Sequence, residues 1–295
     1  MAKSADIRKV LSPELMQSLK GLELLSQLIS EELSYGQHKS TQSGQGQEFS
    51  QYRSYEPGDD PRMLDWKMYA RSDRYYVRLA EVETRVKVTC LIDATASMKH
   101  EWQGVSKLDY ARVMAAGVAY VANQFNDAFG LIAENDKKTW HLPPQSGYQQ
   151  FHQFLHSLLQ IRASGSWAVR PLFSEDTAAL YVLFSDGHQQ HHEIMDWVKQ
   201  IKHKRNEVVV FQLLAPDELH PSEESVLLED WESGKTLVFG GKKAAEEVAE
   251  RMKSQTEKLQ QELLQKEIGY VCISLDESPI KALRTFLQKR KKLRL

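Results

Sequence analysis

From Val86 onward, short runs rich in β-branched residues alternate with stretches whose apolar residues recur every three or four positions. That alternation restricts the chain to α/β layering. Consecutive parallel strands need a crossover, and a helix supplies it. The spacing predicts strands over 86–92, 129–133, 180–184, 208–214 and 268–274. Residues 138–142 are expected to pair with the second strand as a hairpin closed off by Pro143-Pro144, and 225–239 to form a hairpin around Glu232-Ser233-Gly234-Lys235. Between the strands lie four helical stripes, led by Leu108, Phe151, Ile194 and Ala245, and a last helix is expected over 280–292. The predicted fold is a doubly wound, mostly parallel sheet. Such sheets bind ligands beyond the carboxyl ends of their strands, where both Asp93 and Asp186 stand.

The first 82 residues differ. Ser12 is a candidate N-cap with Pro13 at the first helical position, and Leu15, Leu19, Leu22, Leu25, Ile29 and Leu33 follow at helical spacing up to a stop at Gly36. Turn signals at 44–47 and 56–61 then enclose short extended pieces around Phe49, Tyr52 and Tyr55, with a further strand over 75–81. The expected organisation is a segment 1–82, holding the N-terminal helix and a small irregular β appendage packed on the main domain, and an α/β domain 83–295. The net charge of -2 gives no basic bias toward nucleic acid. The start lacks a signal-peptide core and the longest apolar runs are too short to span a bilayer, so no membrane insertion and a cytoplasmic location are expected. Cys90 and Cys272 both fall in strand-like runs and read as reduced core thiols.

Chemistry concentrates at two strand ends. Asp93-Ala94-Thr95-Ala96-Ser97 sets a carboxylate and two hydroxyls at alternate positions of one turn, and Ser185-Asp186-Gly187 offers a second carboxylate. Hard oxygens from separate loops can hold a Mg²⁺-like ion and leave positions open for water or an outside carboxylate. The same residues also suit a metal-free turn in which Asp93 and Thr95 cap the following helix. The Asp-x-Thr-x-Ser pattern resembles the metal-ion-dependent adhesion site of von Willebrand factor A domains. That resemblance implies Mg²⁺ or Mn²⁺ held by Thr95 and Ser97 directly and by Asp93 and Asp186 through water. Its remaining element would be a loop threonine, for which Ser166 is the nearest match.

A second block runs Glu48-Phe49-x-x-x-Arg53-x-Tyr55-x-x-Gly58-Asp59-Asp60-x-Arg62-x-x-Asp65-Trp66 and on to Ala70-Arg71. In this order ahead of the Asp93 turn, the two blocks resemble the bacterial "domain of unknown function 58" family, over most of the chain from about Gly36. The chain looks like the family's short branch, without added membrane segments or an immunoglobulin-like region. The resemblance implies a von Willebrand factor A-like, Rossmann-like domain with no catalytic activity. It also implies an adaptor role beside a MoxR-type AAA+ ATPase in the assembly or maturation of a client protein. Within the block, acid–arginine pairs and the apolar anchors Phe49, Tyr55 and Trp66 suit a docking role better than catalysis. Arg62 and Arg71 are interface candidates.

Other motifs are weaker. His188, His191 and His192 have spacing that zinc or nickel accepts, but no further ligand is evident, and a solvated helix start fits them. Near Asp186, His188 would make partner binding pH-sensitive. Ser233-Gly234-Lys235-Thr236 ends like a phosphate loop, but Glu229 occupies the position that needs glycine. The terminal basic cluster 289–294 suits a helix end. The competing functions are a metal-dependent hydrolase or phosphotransferase and a structural protein with a degenerate site. A dehalogenase-type phosphatase needs an acid two residues after its nucleophile, where this chain has Thr95.

Overall fold

The computed structural model describes residues 12–35, 49–57, 59, 61, 64–80, 86–167, 179–187, 191–202, 206–221, 226–229, 236–239, 241–284 and 286. Backbone contacts divide the chain into two compact units, Met1–Gly36 with Val86–Leu295, and Gln37–Arg85. The opening helical segment therefore groups with the sheet, whereas its place in the sequence had set it with the block that follows.

That segment is two helices, α1 (Pro13–Met16) and α2 (Leu19–Tyr35), rather than one. Ser12 caps α1, with Pro13 at its first position. The break lies at Gln17-Ser18, where the Ser18 hydroxyl accepts from the Gly21 amide at 3.1 Å. Gly21 is required there: a Cβ would lie 2.0 Å from the Leu15 carbonyl oxygen. The break turns Leu19 outward and leaves Leu22, Leu25, Ile29 and Leu33 as the buried stripe.

The smaller unit pairs β1 (Phe49–Ser54) antiparallel with β2 (Tyr76–Ala80), and between them lies α3 (Trp66–Ser72). Asp65 is the N-cap of α3, accepting from the amides of Lys67 and Met68. Tyr69 stacks on Tyr75 with ring centroids 4.5 Å apart. Arg53 meets Asp59 at 2.6 Å in a half-exposed pair. Trp66, expected as an apolar anchor, is 61% exposed: at the first position of α3 its ring meets that of Tyr69 edge-on, centroids 6.3 Å apart, which leaves much of it uncovered.

The larger unit continues with β3 (Lys87–Asp93), a 3-10 turn (Ala96–Lys99), and a small hairpin of β4 (Glu101–Trp102) and β5 (Val105–Ser106). Next come α4 (Lys107–Gln124), β6 (Ala128–Glu134), β7 (Thr139–Gln145), α5 (Tyr148–Gln160), β8 (Ala179–Ser185), α6 (His191–Lys202), β9 (Glu207–Leu214) and α7 (Pro216–Leu219). The hairpin strands β10 (Val226–Glu229) and β11 (Thr236–Phe239), then α8 (Lys242–Gln265) and β12 (Gly269–Ser274), complete the order.

Six strands form the main sheet in the order β12-β9-β8-β3-β6-β7, parallel except for β7. Side chains alternate between the faces, as strand geometry requires. Leu180, Val182 and Phe184 face one core with α2, α4 and α5, while Tyr181 and Leu183 face the other with α6 and α8. The sheet is therefore doubly wound, as the sequence predicts.

Two local expectations need correction. Pro143 and Pro144 lie inside β7 rather than ending it, because an antiparallel edge strand tolerates missing amide donors. Cys90 is buried, but Cys272 is exposed on β12, the other edge strand, so only one of the two is a core thiol.

Candidate functional site

From β3 the chain moves to β6 on one side and later to β8 on the other, so the β3–β8 boundary is the point where the winding reverses. Asp93 ends β3, and Ser185-Asp186 ends β8. All three are buried. The Asp93 carboxylate is fixed by two donors: the Thr95 amide at 2.9 Å to Oδ1 and the Ser185 hydroxyl at 2.7 Å to Oδ2. The Thr95 and Ser97 hydroxyl oxygens stand 3.0 Å apart. Asp186 is held from behind, its carbonyl accepting from Gln212 Nε2 at 2.9 Å. Burial, reinforced by the charge of Asp186, raises the Asp93 carboxyl from its ordinary 3.8 to about 7, against the lowering effect of its hydrogen bonds.

The loop after α5 is strapped to this turn. The Ser164 amide donates to the Ala94 carbonyl and the Ala96 amide to the Gly165 carbonyl, at 2.9 and 2.8 Å. Asn135 Nδ2 donates to the Ala94 carbonyl and to Ser164 Oγ, both at 3.2 Å. Gly165 sits at φ +65, where a Cβ would lie 1.9 Å from Asp136 Oδ1. Ser166 joins the assembly through its backbone, its carbonyl accepting from the Asp136 amide at 2.8 Å. Arg112 holds the loop's base. Its guanidinium, buried on α4, pairs with Asp109 and donates to the Leu158 and Ile161 carbonyls at 3.0 and 2.6 Å. A cleft of about 810 Å³ opens beside the turn, lined by residues that include Met98, His100, Ser106, Arg112 and Arg162.

Asp93, Thr95, Ser97 and Asp186 thus meet at one rim, with the Ser166 loop tied alongside. Arg71 lies exposed in the last turn of α3. Arg62 and His188 fall outside the described residues, as do the phosphate-loop-like turn and the terminal basic cluster.

Sequence reasoning missed two charged residues at the rim. Lys107, first in α4 and 1% exposed, reaches Asp186 Oδ2 at 3.1 Å and Glu218 Oε1 at 2.7 Å. Burial alone would lower its ammonium, but the charges of Asp186 and Glu218 outweigh it and hold it above its ordinary value. Glu218 follows the end of β9, so the rule that singled out Asp186 also reaches it. No local signal marks Lys107.

The oxygens at the rim are the carboxylates of Asp93 and Asp186 and the hydroxyls of Thr95 and Ser97, beside a buried ammonium; among the described residues, no three acidic, histidine or cysteine side chains converge closely enough to hold a metal ion. Thr95 and Ser97 would ligate through their hydroxyls, with Asp93 and Asp186 behind them.

A family model described as "Protein of unknown function DUF58" matches residues 51–262. An uncharacterized protein of Mycobacterium tuberculosis is 26% identical over 241 residues, spanning 77% of this chain and 74% of its own length. Among solved structures, an aerotolerance-related membrane protein from Bacteroides fragilis is similar at 18% identity and a TM-score of 0.45, over 70% of this chain and 99% of that one. BatB from Bacteroides thetaiotaomicron is similar at 16% and 0.43, over the same shares.

Proposed function

Because the chain belongs to the family described as Protein of unknown function DUF58, we propose that it is a non-enzymatic protein-binding adaptor working through a metal-ion-dependent adhesion-like site. The observation that carries this reading is the meeting of Asp93, Thr95, Ser97 and Asp186 at the point where the winding of the sheet reverses. Thr95 and Ser97 would hold Mg²⁺ or Mn²⁺ mainly through neutral hydroxyls, which would leave the ion electrophilic enough to take a partner's Asp or Glu. The partner proposed from the family resemblance is a MoxR-type AAA+ ATPase that acts with this chain on a client protein, in the cytoplasm. Among the described residues, no helix is long and apolar enough to cross a membrane.

The test combines calorimetric titration of the full chain with Mn²⁺ and co-purification with a MoxR-type ATPase. Binding of both in the presence of the ion, lost in EDTA and in Asp93→Ala, is expected. Absence of ion binding, with partner capture unchanged in Asp93→Ala, overturns the reading.

A further inference from the structure

We infer that Lys107 is a built-in competitor for the dication: its ammonium occupies Asp186 until an ion claims that carboxylate, and Glu218 then retains it. This rests on the metal-site reading above and adds how the site sets its own affinity. The ammonium is almost fully buried and lies 3.1 Å from Asp186 Oδ2 and 2.7 Å from Glu218 Oε1. A surface lysine would be a flexible, screened charge. This one stands at the fixed start of α4, where Ser106 caps the helix. Glu218 is equally fixed, because its other oxygen accepts from the Ala215 amide at 2.7 Å. The two contacts thus serve different ends. Glu218 holds the ammonium at the site, and Asp186 is the carboxylate over whose charge ammonium and dication contend.

Two like charges sharing one buried carboxylate repel strongly, because little water screens them. The lysine therefore weakens ion binding to the lone protein. An outside carboxylate adds the negative charge that offsets the repulsion, so ion and partner are bound together more tightly than either alone. The short helix α7 that carries Glu218 also carries Asp217, whose carboxylate lies 3.1 Å from His100 Nε2. α7 is thereby pinned to the segment following the Asp93 turn at two points, which keeps Glu218 in place.

The experiment titrates the full-length protein with Mn²⁺, reading free ion by electron paramagnetic resonance and heat by calorimetry. It compares wild type, Lys107→Met, Glu218→Gln and, as blank, Asp93→Ala. Lys107→Met is expected to bind Mn²⁺ roughly tenfold more tightly or better, because it removes the repelling charge and keeps the stem volume. Glu218→Gln is expected to bind more weakly, because the ammonium turns wholly to Asp186. A folded Lys107→Met with wild-type or weaker affinity overturns the inference. If that variant does not fold, Lys107→Gln is titrated in its place: tighter binding than wild type supports the competition, and equal or weaker binding refutes it. Uptake by wild type and Lys107→Met no greater than by the Asp93→Ala blank sinks the metal-site reading itself. Uptake that depends on Asp93 but ignores Lys107 sinks only the lysine's role.

Discussion

Replacing Asp93 by asparagine in the metal-free protein isolates what it costs this fold to bury that charge. The substitution keeps the local bonding. An amide oxygen still accepts from the Thr95 amide, and an amide nitrogen can donate to the Ser185 hydroxyl oxygen that now faces Oδ2. Asparagine therefore imitates the protonated acid. Burial and the Asp186 charge raise the folded-state carboxyl from 3.8 to about 7. A group whose pKa is raised by folding gives its full stability below the unfolded value and loses it as pH climbs through the folded one. The whole displacement corresponds to on the order of 4 kcal/mol, of which about 3 kcal/mol falls between pH 4.5 and 8. Urea unfolding in EDTA, followed by tryptophan fluorescence, measures it. The stability of wild type relative to Asp93→Asn should fall by about 3 kcal/mol from pH 4.5 to pH 8. A difference that stays flat to well under about 1 kcal/mol over that range would refute the claim that burial outweighs the hydrogen bonds of the carboxylate ending β3.

Two further substitutions probe the frame around the site. Arg112→Met should lower the urea-unfolding free energy by about 3–5 kcal/mol, because it removes the cation paired with the buried Asp109 carboxylate and takes one donor each from the Leu158 and Ile161 carbonyls. Ile29→Ala should cost about 2–5 kcal/mol in the same assay, because Ile29 is 1% exposed and packs so closely on α4 that a Cβ at Gly117 would meet its Cγ2 at 2.9 Å. A loss under about 1 kcal/mol would mean that α2 adds little to the core.

The contrast between Asp186 and Lys107 shows where sequence reading works and where it ends. A strand buried on both faces leaves a readable run of apolar residues, as 179–185 does, and the first carboxylate after it must lie at the sheet's carboxyl edge. The parallel pairing of β3 with β8 then brings two such ends together without further information, and Asp93 and Asp186 were legible for that reason. Periodicity also located β1, β2 and every strand of the main sheet, because each pattern is a property of one segment. Lys107 is different. A lysine opening a helix reads as a solvated charge, and nothing within several residues contradicts that. Its partner Glu218, 111 residues further along the chain, arrives on α7 and joins Asp186 around the ammonium. Cys272 and Pro143-Pro144 were misread for a related reason. Whether a side chain is covered, or a missing donor tolerated, depends on lying at an edge, and edge position is set by the order of strands rather than by any one of them. A residue pattern fixes which face of an element is apolar, while the charge balance of a site is decided by what other elements deliver to it. At this rim that balance includes Lys107, a cation that local pattern does not reveal.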